Sequence, residues 1–148
     1  MEQTPYNDHL AYWQEVIHQL DLSARWVRKN LTKRLGVKIS NNNQIRMVQS
    51  DIAALSRCAI EVQDALKWYE SQIVSGDATS PLTAVEKNRH AKFLKKSEEL
   101  WKSILSECND FDKKLEPIKK QIDFLNWKFA NHPLTHRETG NQNKGGNQ

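Results

Sequence analysis

The sequence predicts an all-α fold, an elongated antiparallel bundle of three long helices, on three observations. Apolar residues recur at alternating steps of three and four along most of the chain, the spacing of a helical seam. Gly and Pro number only five and four, too few for the turns of a many-stranded fold. The 148 residues suit one domain with a core that needs neither disulfide nor metal.

The first helix is expected over residues 5–35. Its seam is Leu10, Trp13, Ile17, Leu20, Ala24, Val27 and Leu31. Thr4 supplies an N-cap oxygen, Pro5 suits the first helical position, and Gly36 is a natural stop. The second helix is expected over residues 41–74, with the seam Ile45, Val48, Ile52, Leu55, Ala59, Val62, Leu66, Tyr69 and Ile73. Asn41 and Gln44 resemble a capping box, and Ser75-Gly76 ends the segment.

The third helix is expected over residues 81–116, capped by Ser80 with Pro81 first, or alternatively by a box of Thr83 and Glu86. Its seam runs from Leu94, Ser97, Trp101, Ile104, Cys108, Phe111 and Leu115 through Ile118, Ile122, Leu125 and Phe129. Pro117 interrupts it. A proline inside a helix removes one hydrogen bond and clashes with the preceding turn. The segment is therefore expected to kink or break there, giving a short fourth helix over residues 117–131. Residues 1–132 then form a single bundle. Residues 133–148, whose last dozen are rich in Gly, Asn and Gln, form a flexible tail. Ala24, Ala59 and Ser97 place a small residue near the middle of each seam, which lets backbones approach.

The layout resembles spectrin-like helical bundles, and the stretch Leu22-Ser-Ala-Arg-Trp26 resembles helical replication-restart accessory proteins. The first likeness is one of shape and the second spans five residues, so neither assigns a role to any residue.

Charge is unevenly placed. Residues 1–21 hold four acids and no Lys or Arg, whereas residues 22–50 hold seven bases and no acid. Folding the first two helices into a hairpin brings Arg25, Arg28, Lys29, Lys33, Arg34, Lys38 and Arg46 to one tip. One reading is an anion-binding tip for nucleic acid, with Trp26 stacking on a base. The other is internal pairing with Glu98, Glu99, Glu107, Asp110, Asp112 and Glu116 of the third helix, helped by the preference of helix C-termini for bases.

Trp26, Trp68 and Trp127 lie off the seams. They are either covered by a neighbouring helix or exposed as interface anchors. Phe124 and Trp127, with Leu100 and Leu105, are surplus apolar positions and the candidate protein interface.

No Gly-rich phosphate loop, Cys-x-x-Cys or His-Glu-x-x-His occurs. His132 and His136 have a helical ligand spacing, but Pro133 breaks the helix they need. No catalytic residues, metal site or cofactor are expected. Cys58 and Cys108 read as reduced core thiols. The first residues lack the basic-then-apolar pattern of a signal peptide, and no run spans a bilayer. The reading is a cytoplasmic, non-catalytic interaction module with a protein partner, and self-association is one form of it. The alternative is an accessory nucleic-acid-binding protein using the basic tip.

Overall fold

The computed structural model describes residues 5–75 and 82–131. They form three helices: α1 (Pro5–Leu35), α2 (Asn42–Ser75) and α3 (Ala84–Ala130). Among the described residues there is no strand, and no helix is long and apolar enough to cross a membrane. Thr4, Ser80, Pro81 and the expected tail over residues 133–148 lie outside the described residues.

Local chemistry fixes the described ends. The Gly36 N–H donates to the carbonyls of Thr32 and Lys33, closing the last turn of α1. A Cβ at Gly36 would come within 3.2 Å of the Thr32 oxygen, so a glycine fits the close approach. Before α2, the Asn41 side chain accepts from the Gln44 N–H at 2.9 Å. The Gln44 side chain returns to the N–H of Ser40 at 2.6 Å, one residue before the position a regular box uses. At α3 the box is complete, with Thr83 and Glu86 each accepting from the other's backbone N–H. The helix therefore starts at Ala84, three residues later than the Ser80 cap implied.

Of the two alternatives at Pro117, the break that gives a separate fourth helix is not seen among the described residues. α3 continues through Pro117 to Ala130. Leu115 and Ile122, on either side of the proline, are both buried in one core cluster, and Ile118 packs against it. Packing on both sides keeps the segment helical despite the lost hydrogen bond and ring clash of an internal proline, which together cost about 3 kcal/mol.

The start of α1 lies beside the end of α2, where the Tyr6 and Tyr69 hydroxyls meet at 2.8 Å. Arg34, near the end of α1, reaches Asp51 in the early part of α2. Cys108 of α3 donates weakly to the Ile52 carbonyl of α2 at 3.8 Å. Both α1 and α3 thus pack against α2. Accordingly α2 buries two columns, Ile45, Ile52, Ala59 and Leu66 beside Val48, Leu55, Val62 and Tyr69. α1 buries one column, Leu10, Ile17, Ala24 and Leu31, while Trp13, Leu20 and Val27 stay half-buried. Ala24, Ala59 and Ser97 are all buried.

The core falls into two clusters. One gathers Leu31, Leu55, Ile104, Leu115 and Ile122, with both cysteines as free thiols. The other surrounds Tyr69 with Tyr6, Leu10, Ile17, Val62 and Phe93. Each fully buried leucine or isoleucine contributes about 1.5–3 kcal/mol. Burial pushes the Cys108 thiol up to about 11, with the nearby charge of Asp112 adding to it. The Cys58 thiol is raised for the same first reason. Both are inert as nucleophiles near neutrality.

Candidate functional site

The basic tip is partly consumed by internal pairing. Arg28 makes a two-pronged pair with Glu107 of α3, at 2.6 and 2.5 Å. A planar guanidinium matches a carboxylate in this way and holds the two helices in register. Arg34 binds Asp51 at 2.6 Å and touches the Met47 sulfur at 3.7 Å. Arg25 pairs with Asp21 one turn earlier on its own helix, at 3.2 Å. Glu107 is one of the acids the sequence offered as a partner. Asp21 and Asp51 were not, because they flank the basic block rather than lying on the third helix.

Lys29, Lys33, Lys38 and Arg46 are exposed and form no ion pair among the described residues. Trp26 is 67% exposed. At 100° per residue, Leu22, Trp26, Lys29 and Lys33 fall on one stripe of α1. It lies opposite the buried column of Ala24 and Leu31. Of the eight tip residues, five form no ion pair among the described residues.

The tryptophans settle the second question. Trp13 is half-buried and its Nε1 donates to Gln72 at 3.1 Å. Trp26, Trp68 and Trp127 are each more than 60% exposed, so no neighbouring helix covers them. Leu100 and Leu105 are half-buried and pack against the core. They are not brought together with Phe124 and Trp127, which lie about five to seven turns further along α3.

The end of α3 has a distinct geometry. Ile122 is its last buried residue. Beyond it, Phe124, Leu125, Trp127 and Phe129 are exposed by 41–66%. Leu125 and Phe129 continue the direction of the buried face of Leu115 and Ile122, whereas Phe124 and Trp127 point to the other side. The rings of Phe124 and Trp127 stack at 6.1 Å. This overhang is about 13 Å of helix that is apolar on two sides and covered on neither.

Two features were missed at the sequence level. One is a buried polar cluster in which the Tyr69 hydroxyl meets Tyr6 at 2.8 Å and His90 Nδ1 at 2.7 Å. Burial raises both tyrosine hydroxyls above their ordinary range. No local pattern announces it, because its members are 63 and 21 residues apart. The other is a second basic run on α3, with Lys87, Arg89, Lys92, Lys95 and Lys96 and no acid across residues 87–97. Its signal was present in the sequence, hidden by the acids that follow it. Among the described residues no cluster of His, Cys, Asp or Glu is placed to hold a metal ion. No protein-family model, curated protein or solved structure matches this chain.

Proposed function

We propose that this chain is a non-catalytic protein-interaction module, an elongated antiparallel bundle that holds out the end of α3 as a docking helix. The observation that carries this reading is the overhang after Ile122, with four large apolar side chains exposed on two sides. A helix apolar around much of its circumference is at home inside a groove, not on a flat surface. Phe124 and Trp127, one turn apart, have the spacing of anchors that a partner groove reads. Overhang-to-overhang pairing of two copies covers one side of each over about 13 Å, well short of the ~800 Å² per partner of a stable interface. A groove, which covers both apolar sides, suits the overhang better than a second overhang does, so the partner we propose is a different protein.

The test is co-purification from the source cells with three baits: the native chain, Phe124→Ser/Trp127→Ser, and a Trp68→Ser control. The native chain and the control are expected to hold the same stoichiometric partner, and the double variant to lose it while keeping its helicity. Equal capture by all three baits, or a native chain that sediments alone at cellular concentration, refutes the reading.

A second reading is nucleic-acid binding at the tip. It is favoured by the outward stripe of Trp26, Lys29 and Lys33, with Lys38 and Arg46 likewise free of ion pairs. The internal pairing of Arg25, Arg28 and Arg34 reduces the charge on offer. Salt-titrated anisotropy with labelled single-stranded DNA, duplex DNA and RNA decides it. Binding that weakens steeply with salt and disappears in Lys29→Glu/Lys33→Glu supports this reading, and no binding at low salt removes it.

A further inference from the structure

α1 and α3 both lean on α2 and leave a long open groove between them, enclosing about 1410 Å³. Its α1 wall runs from Asn7 to Asp21 and its α3 wall from Arg89 to Ser103. Each wall spans fourteen steps of helix, so the groove is about 21 Å long. The two helices point the same way along it, since Arg89 at its start donates to Asn7 at 2.9 Å.

Three properties of the groove point to an occupant. Its floor is apolar and narrow: Leu10 and Ile17 come from one helix and Phe93 from the other, each showing only 5–8% of its surface, with Leu100 half-buried beside them. Each pair is seven residues apart, so a helix lying in the groove meets them with apolar residues at the same period. Its α3 wall is cationic: Arg89, Lys92, Lys95 and Lys96 make no ion pair among the described residues. Of the two acids that line it, Asp21 is held by Arg25, and Glu99 lies towards the far end.

Between wall and floor sits Ser97, 2% exposed, with a hydroxyl that has no hydrogen-bond partner among the described residues. A hydroxyl in a helix can bond back to the carbonyl four residues earlier, as that of the exposed Thr32 does to Arg28 at 3.0 Å. A buried polar group left unpaired is costly and calls for a partner.

We infer that this groove is a second docking site, and that its occupant is an acidic amphipathic helix of about four turns from another protein. The volume exceeds the roughly 300–1,000 Å³ of a small-molecule pocket, and the site is an open channel rather than a closed one. Apolar residues of the occupant cover the floor, its Glu and Asp side chains meet Arg89, Lys92 and Lys96, and a polar side chain satisfies Ser97. This chain's own C-terminal residues do not fit. They carry Arg137 and Lys144 against the single acid Glu138, with one large aliphatic residue, Leu134. They also start from Asn131, 35 residues of helix or about 52 Å beyond Lys96, a distance that uses almost the whole ~58 Å reach of 17 extended residues. The overhang of a second copy does not match the wall, since beyond Ile122 it carries Asp123 and Lys128, which cancel and offer no net negative charge.

The experiment is anisotropy with the full chain and a fluorescein-labelled 14-residue helical peptide carrying leucines at heptad spacing and glutamates elsewhere. The matching lysine peptide and a single-stranded RNA serve as competitors. The glutamate peptide is expected to bind at least tenfold more tightly than the lysine peptide. The neutralised variant Arg89→Gln/Lys92→Gln/Lys96→Gln, at exposed helical positions, should keep its helicity and lose at least tenfold in affinity. Ser97→Ala should weaken binding several-fold without destabilising the free protein. Trp127→Ser should bind as the native chain does, which separates this site from the overhang. Equal binding of the two peptides, full affinity in the neutralised variant, or displacement of the peptide by RNA overturns the inference.

Discussion

The two ends of α3 meet different surroundings, and their aromatic residues have opposite fates. Near its start, His90 bonds the Tyr69 hydroxyl, and Phe93 packs edge-on against the Tyr69 ring at 4.8 Å. Tyr6 from α1 completes the contact, and both tyrosines are buried. Near its end, Phe124 and Trp127 stack on each other, exposed by 57% and 61%. The residue types are alike. What differs is the presence of neighbours: α1 ends at Leu35 and α2 begins at Asn42, while α3 extends beyond both. Burial here is decided by helix length relative to neighbours, not by hydrophobicity.

The sharpest way to break this contrast is by truncation in each region. Leu55→Ala, in the fully packed stretch of α2, should cost about 2–5 kcal/mol in urea unfolding followed by helical circular dichroism. Trp127→Ala removes more atoms yet should change stability by less than about 0.5 kcal/mol. Comparable losses in the two variants would mean that the overhang is packed after all.

A smaller effect sharpens the picture of the polar end. Tyr69→Phe strands both the Tyr6 hydroxyl and His90 Nδ1, and should cost about 1–3 kcal/mol. Tyr6→Phe should cost less, because Tyr69 keeps its bond to His90. If the Tyr69 variant is the milder of the two, the three groups do not act as one network.

The smallest effect vanishes at neutral pH and is read only in base. Burial raises Cys58, Cys108, Tyr6 and Tyr69 above their ordinary values, Cys108 to about 11. Above those ordinary values, 9.0 for the thiols and 10.0 for the hydroxyls, the unfolded chain releases protons that the folded chain still holds. Stability is then full below about pH 9 and falls as pH rises. The unfolding midpoint should fall first through the cysteine stage and then through the tyrosine stage. Cys108→Ala should blunt the first and leave the second. A midpoint that stays flat through pH 10.5 would show that these groups ionise freely in the folded state.

Much of the fold was legible because it is local. The three-four spacing, the Thr83 and Glu86 box and the Gly36 stop are each written within a few residues, and the helices start or end within a few residues of where those signals place them. Pro117 left one helix or two open because its cost is also local, whereas the core contacts of Leu115, Ile118 and Ile122 that keep the segment helical come from other helices. The candidate site was less legible. The sequence offered Phe124 and Trp127 together with Leu100 and Leu105, and only packing separated the exposed pair from the half-buried one. It offered seven bases at the tip, and only proximity paired Arg28 with Glu107 across 79 residues and Arg34 with Asp51 across 17.

The sequence by itself determined that this protein is helical, where most of its helices begin and end, and which face of each is apolar, because periodicity and capping act within one helix. Tertiary structure alone decided which charges are spent internally, that Ser97 lies unpaired beside a cationic groove, and that the end of α3 overshoots its neighbours. Those outcomes depend on distances between residues far apart in the chain, and no spacing along one helix encodes them.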